Sequence, residues 1–279
     1  MSQVHNLRYI GEIRAVVADG KQIAFVTEHV ENQPTSLYLI DGEANKLSQI
    51  ELPCGGVSLS NIGGTFWIGG TDGNLYTVAS GGKSAKKLTT KLPAAATKSV
   101  MLSKDRVGLL TNESVTIVNA KGKITQALEL GEVVTAIGAS PDGDWFAVGT
   151  NKGTVTVFQS EEQDEFVVSE SAAMHNAAVT AIQFEPDELR FLSAGADRKL
   201  MLTHARGSLE PEDRGRANNH DDNITAIILA NEFRFITGSK DKSCKSWALT
   251  DKTKPATLSE GVIAAVSYTH LTLPTILLV

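Results

Sequence analysis

Val179-Thr180-Ala181-Ile182-Gln183-Phe184, followed by Arg190-Phe191-Leu192-Ser193-Ala194-Gly195-Ala196-Asp197, returns 45 and 44 residues later as Ile224-Thr225-Ala226-Ile227-Ile228-Leu229 and Arg234-Phe235-Ile236-Thr237-Gly238-Ser239-Lys240-Asp241. A third copy, Val134 to Ala139 and then Trp145 to Thr150, carries Ser140-Pro141-Asp142-Gly143 between its two apolar runs. Pro presets φ at one turn position and Gly accepts the positive φ that other residues resist, so this is hairpin chemistry. Self-similarity at a period of about 40 residues means a propeller or a solenoid, and it is read before any local pattern.

Working outward, alternating strand candidates end at Ile40, Val78, Val118, Phe158, Thr203 and Trp247, at intervals of 38, 40, 40, 45 and 44 residues. Each unit reads as an apolar run, a turn, a second apolar run, another turn, an alternating strand and a weaker fourth strand. Few windows hold a 3.6-residue apolar stripe free of Gly, Pro and β-branched runs, which argues against helices. Regularly spaced short strands leave sandwich, barrel and propeller. The four-strand unit selects the propeller, because one such sheet cannot cover its own two apolar faces, whereas sheets set radially cover each other. The expected fold is all-β.

Thr237-Gly238-Ser239-Lys240-Asp241-Lys242-Ser243-Cys244-Lys245-Ser246-Trp247 resembles the Gly-Ser-x-Asp-x-Ser/Thr…Trp signature of WD-repeat (WD40) β-propellers. The resemblance is strongest over 134–249, clear over 55–80, and weak over 13–41 and 98–119, where the turn Asp and terminal Trp are missing. Repeats are expected at about 13–52, 55–92, 98–130, 133–172, 178–218 and 223–258. In this family an amino-terminal strand completes the last blade. Residues 5–11 and 261–266 are therefore expected to be an outer and an inner strand of an incomplete seventh blade, within a propeller domain over 1–266. Residues 267–279, nearly uncharged and ending Ile276-Leu277-Leu278-Val279, read as a non-native or frameshifted tail on a truncated frame.

The resemblance also assigns the polar residues. His220, Thr237, Asp241 and Trp247 have the spacing of the hydrogen-bonded tetrad that the family builds inside one blade. Asp in a tight turn accepts from His, whose other nitrogen faces a Ser/Thr hydroxyl, which meets the Trp N–H. His175, Ser193 and Asp197 repeat the spacing, 22 residues from His to Asp against 21, with Thr203 in the tryptophan's place. A hydroxyl, a His and an Asp also compose a hydrolase triad. No Gly-x-Ser-x-Gly elbow occurs, however, and recurrence in two successive repeats fits a structural brace and not a single active site. Gly82-Lys83-Ser84 lacks the glycine five residues upstream that a phosphate loop has, Thr77 standing there, the Gly pairs open no helix, and the histidines lack metal-ligand spacing, so no catalytic residue, cofactor or metal is expected.

Composition narrows the partners. Twenty-six Lys and Arg against 32 Asp and Glu, a net charge of -6, give no basic footprint for nucleic acid. No stretch of about 18 apolar residues and no export pattern is visible, so a membrane is not an expected partner and the expected compartment is the cytoplasm. Cys54 and Cys244 are too few for a disulfide framework or a zinc site and are expected to be small buried apolar groups. Lys83, Lys86, Lys87 and Lys91 are expected to guard an outer edge against sheet pairing.

The resemblance implies a non-catalytic scaffold that presents loops of one propeller face to a protein or peptide. Thr135, Thr180 and Thr225, beside the inner strands, are its expected contact positions. Arg214 and Arg216 join them from the charged 206–219 segment, expected to be a mobile rim loop replacing an outer strand. The alternatives are a regulatory or sensor module of a longer chain, and an enzyme centred on the channel. That enzyme requires inward Asp, Glu or His in several repeats, where the inner strands offer Val, Thr, Ala, Ile, Ser and Leu.

Overall fold

The computed structural model describes residues 13–18, 22–27, 35–41, 46–79, 81–103, 105–161, 165–186, 188–214, 220–231, 234–248 and 256–260. These residues form strands and turns, with no helix among them, and the strands make six antiparallel sheets of four. The first sheet is β1 (Ile13–Ala18), β2 (Gln22–Thr27), β3 (Ser36–Asp41) and β4 (Lys46–Glu51). The second is β5 (Gly56–Ile62), β6 (Thr65–Gly70), β7 (Asn74–Val78) and β8 (Lys86–Lys91). The third is β9 (Lys98–Leu102), β10 (Arg106–Thr111), β11 (Ser114–Asn119) and β12 (Ile124–Glu129). The fourth is β13 (Val134–Ala139), β14 (Trp145–Thr150), β15 (Thr154–Ser160) and β16 (Phe166–Ala173). The fifth is β17 (Val179–Phe184), β18 (Arg190–Gly195), β19 (Leu200–His204) and β20 (Glu212–Asp213). The sixth is β21 (Ile224–Asn231), β22 (Arg234–Ser239), β23 (Ser243–Ala248) and β24 (Ala256–Glu260).

Strand order within each sheet follows the chain, and the first strands of successive sheets pack side by side, from β1 to β5, β9, β13, β17 and β21. The second strands explain why. Side chains alternate between the faces of a strand. On β14, Phe146 and Val148 join Val100, Leu110 and Ile117 of the third sheet. Ala147, between them, joins Val179 and Phe191 of the fifth. A strand buried on both faces needs apolar residues throughout, which is why these segments read as continuous runs and not as alternation. Five such clusters join the six sheets in succession. Among the described residues none joins the sixth sheet to the first. The expected seventh-blade strands, 5–11 and 261–266, and the tail 267–279 lie outside the described residues.

Two local features repeat with the sheets. The first ladder of five sheets is bulged at its start, around Arg14, Val57, Thr135, Thr180 and Thr225. The turn between second and third strands closes with the same backbone bond in four sheets: Gly73 to Gly70, Gly153 to Thr150, Arg198 to Gly195 and Lys242 to Ser239. The donor in each has positive φ.

The 206–219 segment departs from expectation. Glu212 and Asp213 pair with Leu202 and Met201, so an outer strand survives as a two-residue remnant. Leu209 is buried in the cluster between the fourth and fifth sheets, and the Arg206 guanidinium lies 5.7 Å from the Trp145 ring centroid. Apolar burial and a cation–π contact tie down what composition alone reads as a free loop. Residues 215–219 lie outside the described residues.

Candidate functional site

The segment entering β21 carries His220, and the turn after β22 carries Asp241. His220 Nδ1 lies 2.8 Å from Asp241 Oδ2, and Nε2 lies 2.7 Å from Thr237 Oγ1. Trp247 Nε1 donates to the same hydroxyl oxygen at 2.8 Å. These contacts fix the proton order. The ionised Asp241 only accepts, so Nδ1 of the neutral ring carries the proton, and Nε2 then accepts from the Thr237 hydroxyl, whose oxygen accepts from Trp247. Asp241 also accepts from the Asp221 amide at 2.9 Å and from Ser243 Oγ at 2.7 Å. The His220 side chain is fully buried and that of Asp241 is 10% exposed.

The fifth sheet builds three of these four groups. His175 Nδ1 lies 3.0 Å from Asp197 Oδ1 and Nε2 lies 2.8 Å from Ser193 Oγ, with the Asn176 amide donating to Asp197 Oδ2 at 3.0 Å. Thr203 pairs with Phe191 as Trp247 pairs with Phe235. Its buried Oγ1 has no hydrogen-bond partner among the described residues. Burial pushes Asp197 up, but bonds from His175 and from backbone amides outweigh it and hold the carboxyl down at about 2. The same opposition leaves Asp241 well below the usual carboxylate range. Burial lowers His220 despite the pull of Asp241.

Other sheets close the same turn with different chemistry, which spacing did not reveal. In the second, Tyr76 donates its hydroxyl to Asp72 at 2.6 Å and Asn74 Nδ2 donates at 2.7 Å. Against burial, these bonds bring Asp72 to about 2, while burial and Asp72 together push Tyr76 up. Cys54 is half-buried against this pair, and a Cβ on Gly70 would come within 2.5, 2.6 and 2.9 Å of Asp72, Cys54 and Tyr76. Cys54 is therefore part of a polar cluster and not the apolar filler expected for it, while Cys244 is buried. The only signal was Thr71-Asp72-Gly73-Asn74, legible as a turn. In the fourth sheet Glu132 accepts from Thr150 Oγ1 at 2.6 Å and pairs with Lys152 at 3.5 Å. In the third, Thr111 Oγ1 lies 3.0 Å from Ser114 Oγ and 3.3 Å from Thr116 Oγ1.

The expected contact threonines have structural bonds of their own. Thr135 Oγ1 donates to Val179 O of the next sheet at 2.6 Å, and Thr180 Oγ1 makes the matching bond to Ile224 O. Thr225 Oγ1 donates to Gly238 O within its own sheet at 3.2 Å. The recurring Val/Ile-Thr-Ala was the visible signal; the bond between sheets follows only from radial placement. Arg214 packs down with 6% of its side chain exposed, 3.6 Å from Glu212. Arg216 lies outside the described residues.

Inner strands of all six sheets line a central cavity of about 270 Å3. Its wall carries Arg14 and Lys98, two basic side chains that the sequence reading of the inner strands omitted. Chemically, the His–hydroxyl–Asp chains end on groups already bonded at both ends inside the sheets. The cavity and the turn tips are what the fold offers to another molecule.

Comparison with known proteins agrees with this architecture. A family profile described as "WD domain, G-beta repeat" matches residues 125–159 and 171–203. The WD repeat-containing protein 55 homolog of Aedes aegypti is 29% identical over 122 residues, 43% of this chain and 25% of the relative. Actin-interacting protein 1-2 of Arabidopsis thaliana is 29% identical over 94 residues, 34% of this chain and 15% of the relative. WD repeat-containing protein 1 of Gallus gallus is 26% identical over 190 residues, 67% of this chain and 24% of the relative. The chain thus spans a quarter or less of the length of the curated relatives it matches. The matched repeats fall on blades of a six-sheet radial array, with a His–Thr–Asp–Trp chain in one blade and its three-membered counterpart in another, so the likeness to WD-repeat proteins extends from sequence to a β-propeller fold.

Proposed function

We propose that the chain is a non-catalytic scaffold that presents the propeller face formed by the turns between second and third strands to a protein or peptide partner. One observation carries this reading: the His–hydroxyl–Asp chains, which could pass for catalytic triads, are sealed inside the blades while the turn tips around them stay polar and open. His175 and His220 have no side-chain exposure, and each lies between a hydroxyl and a carboxylate. A nucleophile or general base must reach a substrate atom, and these groups reach only each other. Lys152, Lys240, Asp221 and Asp222 on the same face are exposed, with both signs of charge for a complementary surface.

The name of the Arabidopsis relative, an actin-interacting protein, makes actin the first partner to test. Purified chain is assayed by co-sedimentation with actin and by affinity capture from a cell extract, with two classes of charge reversal. Lys152→Glu with Lys240→Glu alters the proposed face, and Lys121→Glu alters the opposite end of the sheets. The proposal expects the first pair to weaken capture by about tenfold or more and the second change to leave it within about twofold. Equal loss from both ends, or capture untouched by either, contradicts it.

A further inference from the structure

Lys98 occupies a place that every other described sheet gives to a small residue. The inner ladder of each sheet becomes regular at the pairs Ala15–Val26, Ser58–Gly69, Lys98–Leu110, Ala136–Gly149, Ala181–Ala194 and Ala226–Gly238. Five positions are alanine or serine. In the third sheet a lysine reaches into the channel and donates its ammonium to Thr180 O, two sheets away, at 2.8 Å.

The surroundings leave that charge uncompensated. Arg14 of β1 is the other charged group on the cavity wall. From β5, β13, β17 and β21 the wall presents residues such as Val57, Ser58, Ile137, Thr180 and Ala226, none of them ionisable. No Asp or Glu lines the cavity among the described residues. Lys98 keeps surface accessible to water, yet the enclosing walls desolvate it and pull its ammonium down to about 8. Both hold together when the water it meets is confined to the channel. A cation in a channel whose walls hold no carboxylate among the described residues, with a single carbonyl bond, gains more from an oxygen anion than a lysine on open surface does.

We propose that the central channel is a carboxylate-binding site in which the Lys98 ammonium pairs with the ligand's oxygen. The cavity, about 270 Å3, is roughly nine times the volume of one liquid water, enough for a small organic acid or for one acidic side chain inserted by a partner. These sources share the same chemistry. The second rests on the scaffold reading and the first does not.

The test uses the full chain with lysine side chains isotopically labelled, and Lys98 assigned by its loss in Lys98→Arg. Its resonance is followed by NMR while acetate, and separately an oligoglutamate peptide, is added. Acetate is expected to shift Lys98 selectively with millimolar affinity and to raise its pKa, with binding falling about tenfold per pH unit above about 8. Lys98→Arg keeps binding and loses that pH dependence, and Lys98→Met loses binding. A response to acetate alone assigns a free small acid; a tighter response to the peptide assigns a partner's side chain. A Lys98 resonance unmoved by both probes, or equal acetate binding by Lys98→Met, overturns the proposal. Failure of the actin and capture assays leaves the acetate result standing, so the two readings fail separately.

Discussion

Replacing Thr237 by Val removes one hydroxyl and strands two buried partners. Thr237 is fully buried, its Oγ1 accepts from Trp247 Nε1 at 2.8 Å, and it faces His220 Nε2 at 2.7 Å. Valine keeps the volume, so the loss is of hydrogen bonds and not of packing. An unsatisfied buried polar group costs about 1–3 kcal/mol, which places Thr237→Val at about 2–5 kcal/mol after partial relaxation. Ser193→Ala supplies the internal comparison. Ser193 is equally buried but faces only His175 Nε2, because Thr203 stands where the tryptophan would be, so its loss is about 1–3 kcal/mol. Thr237→Ser keeps the oxygen and is expected within about 1 kcal/mol of the parent, the price of one methyl. Urea unfolding followed by tryptophan fluorescence reads all three. If Thr237→Val costs no more than Ser193→Ala at equal urea slopes, the two-partner role assigned to Thr237 is wrong.

Other outcomes follow from the same geometry. Gly153 has φ +92 and a Cβ there would stand 2.0 Å from His175 O, whereas Gly131, at φ +71, has nothing within 4 Å. Gly153→Ala is therefore expected to cost about 2–4 kcal/mol and Gly131→Ala about 1 kcal/mol in the same urea assay. His220 titrates in the folded chain below its ordinary 6.5, so just below that pH the unfolded chain binds a proton that the folded chain refuses. Stability measured by thermal melting should fall as pH drops through this window, and His220→Gln should flatten the slope. Asp197, at about 2 instead of 3.8, contributes fully above about 4, and its contribution is lost as pH falls from there towards 2. Thr180→Val breaks the bond to Ile224 O and should cost about 1–2 kcal/mol. Its amide exchange should accelerate in β21 more than after Thr225→Val, whose hydroxyl bonds within its own sheet.

The repeat was legible because each blade must meet the same two demands. Its second strand is apolar on both faces, as in Trp145 to Thr150 and Arg234 to Ser239, and its turn needs a residue tolerant of positive φ. Those demands act locally and leave a periodic trace. The braces were legible only where their members were the family's own types, His175, Ser193 and Asp197 or His220, Thr237, Asp241 and Trp247. Tyr76 with Asp72, and Glu132 with Thr150, do equivalent bonding with residues that no spacing rule ties together. The bonds of Thr135 and Thr180 to the next sheet, and that of Lys98 to Thr180, depend on how sheets stand around an axis. Such relations link residues 44 or 82 apart in sequence, beyond the reach of any local pattern.

The central claim is that these histidines brace blades and do no chemistry on a substrate. Nitrogen-15 NMR of histidine-labelled protein near neutral pH tests it most directly, by reading which ring nitrogen of His175 and His220 holds the proton and how fast that proton exchanges. Both rings should carry a slowly exchanging proton on Nδ1, because each Nδ1 faces a carboxylate inside its blade. An Nε2–H tautomer, or protons exchanging at the rate of exposed imidazole, would contradict the account.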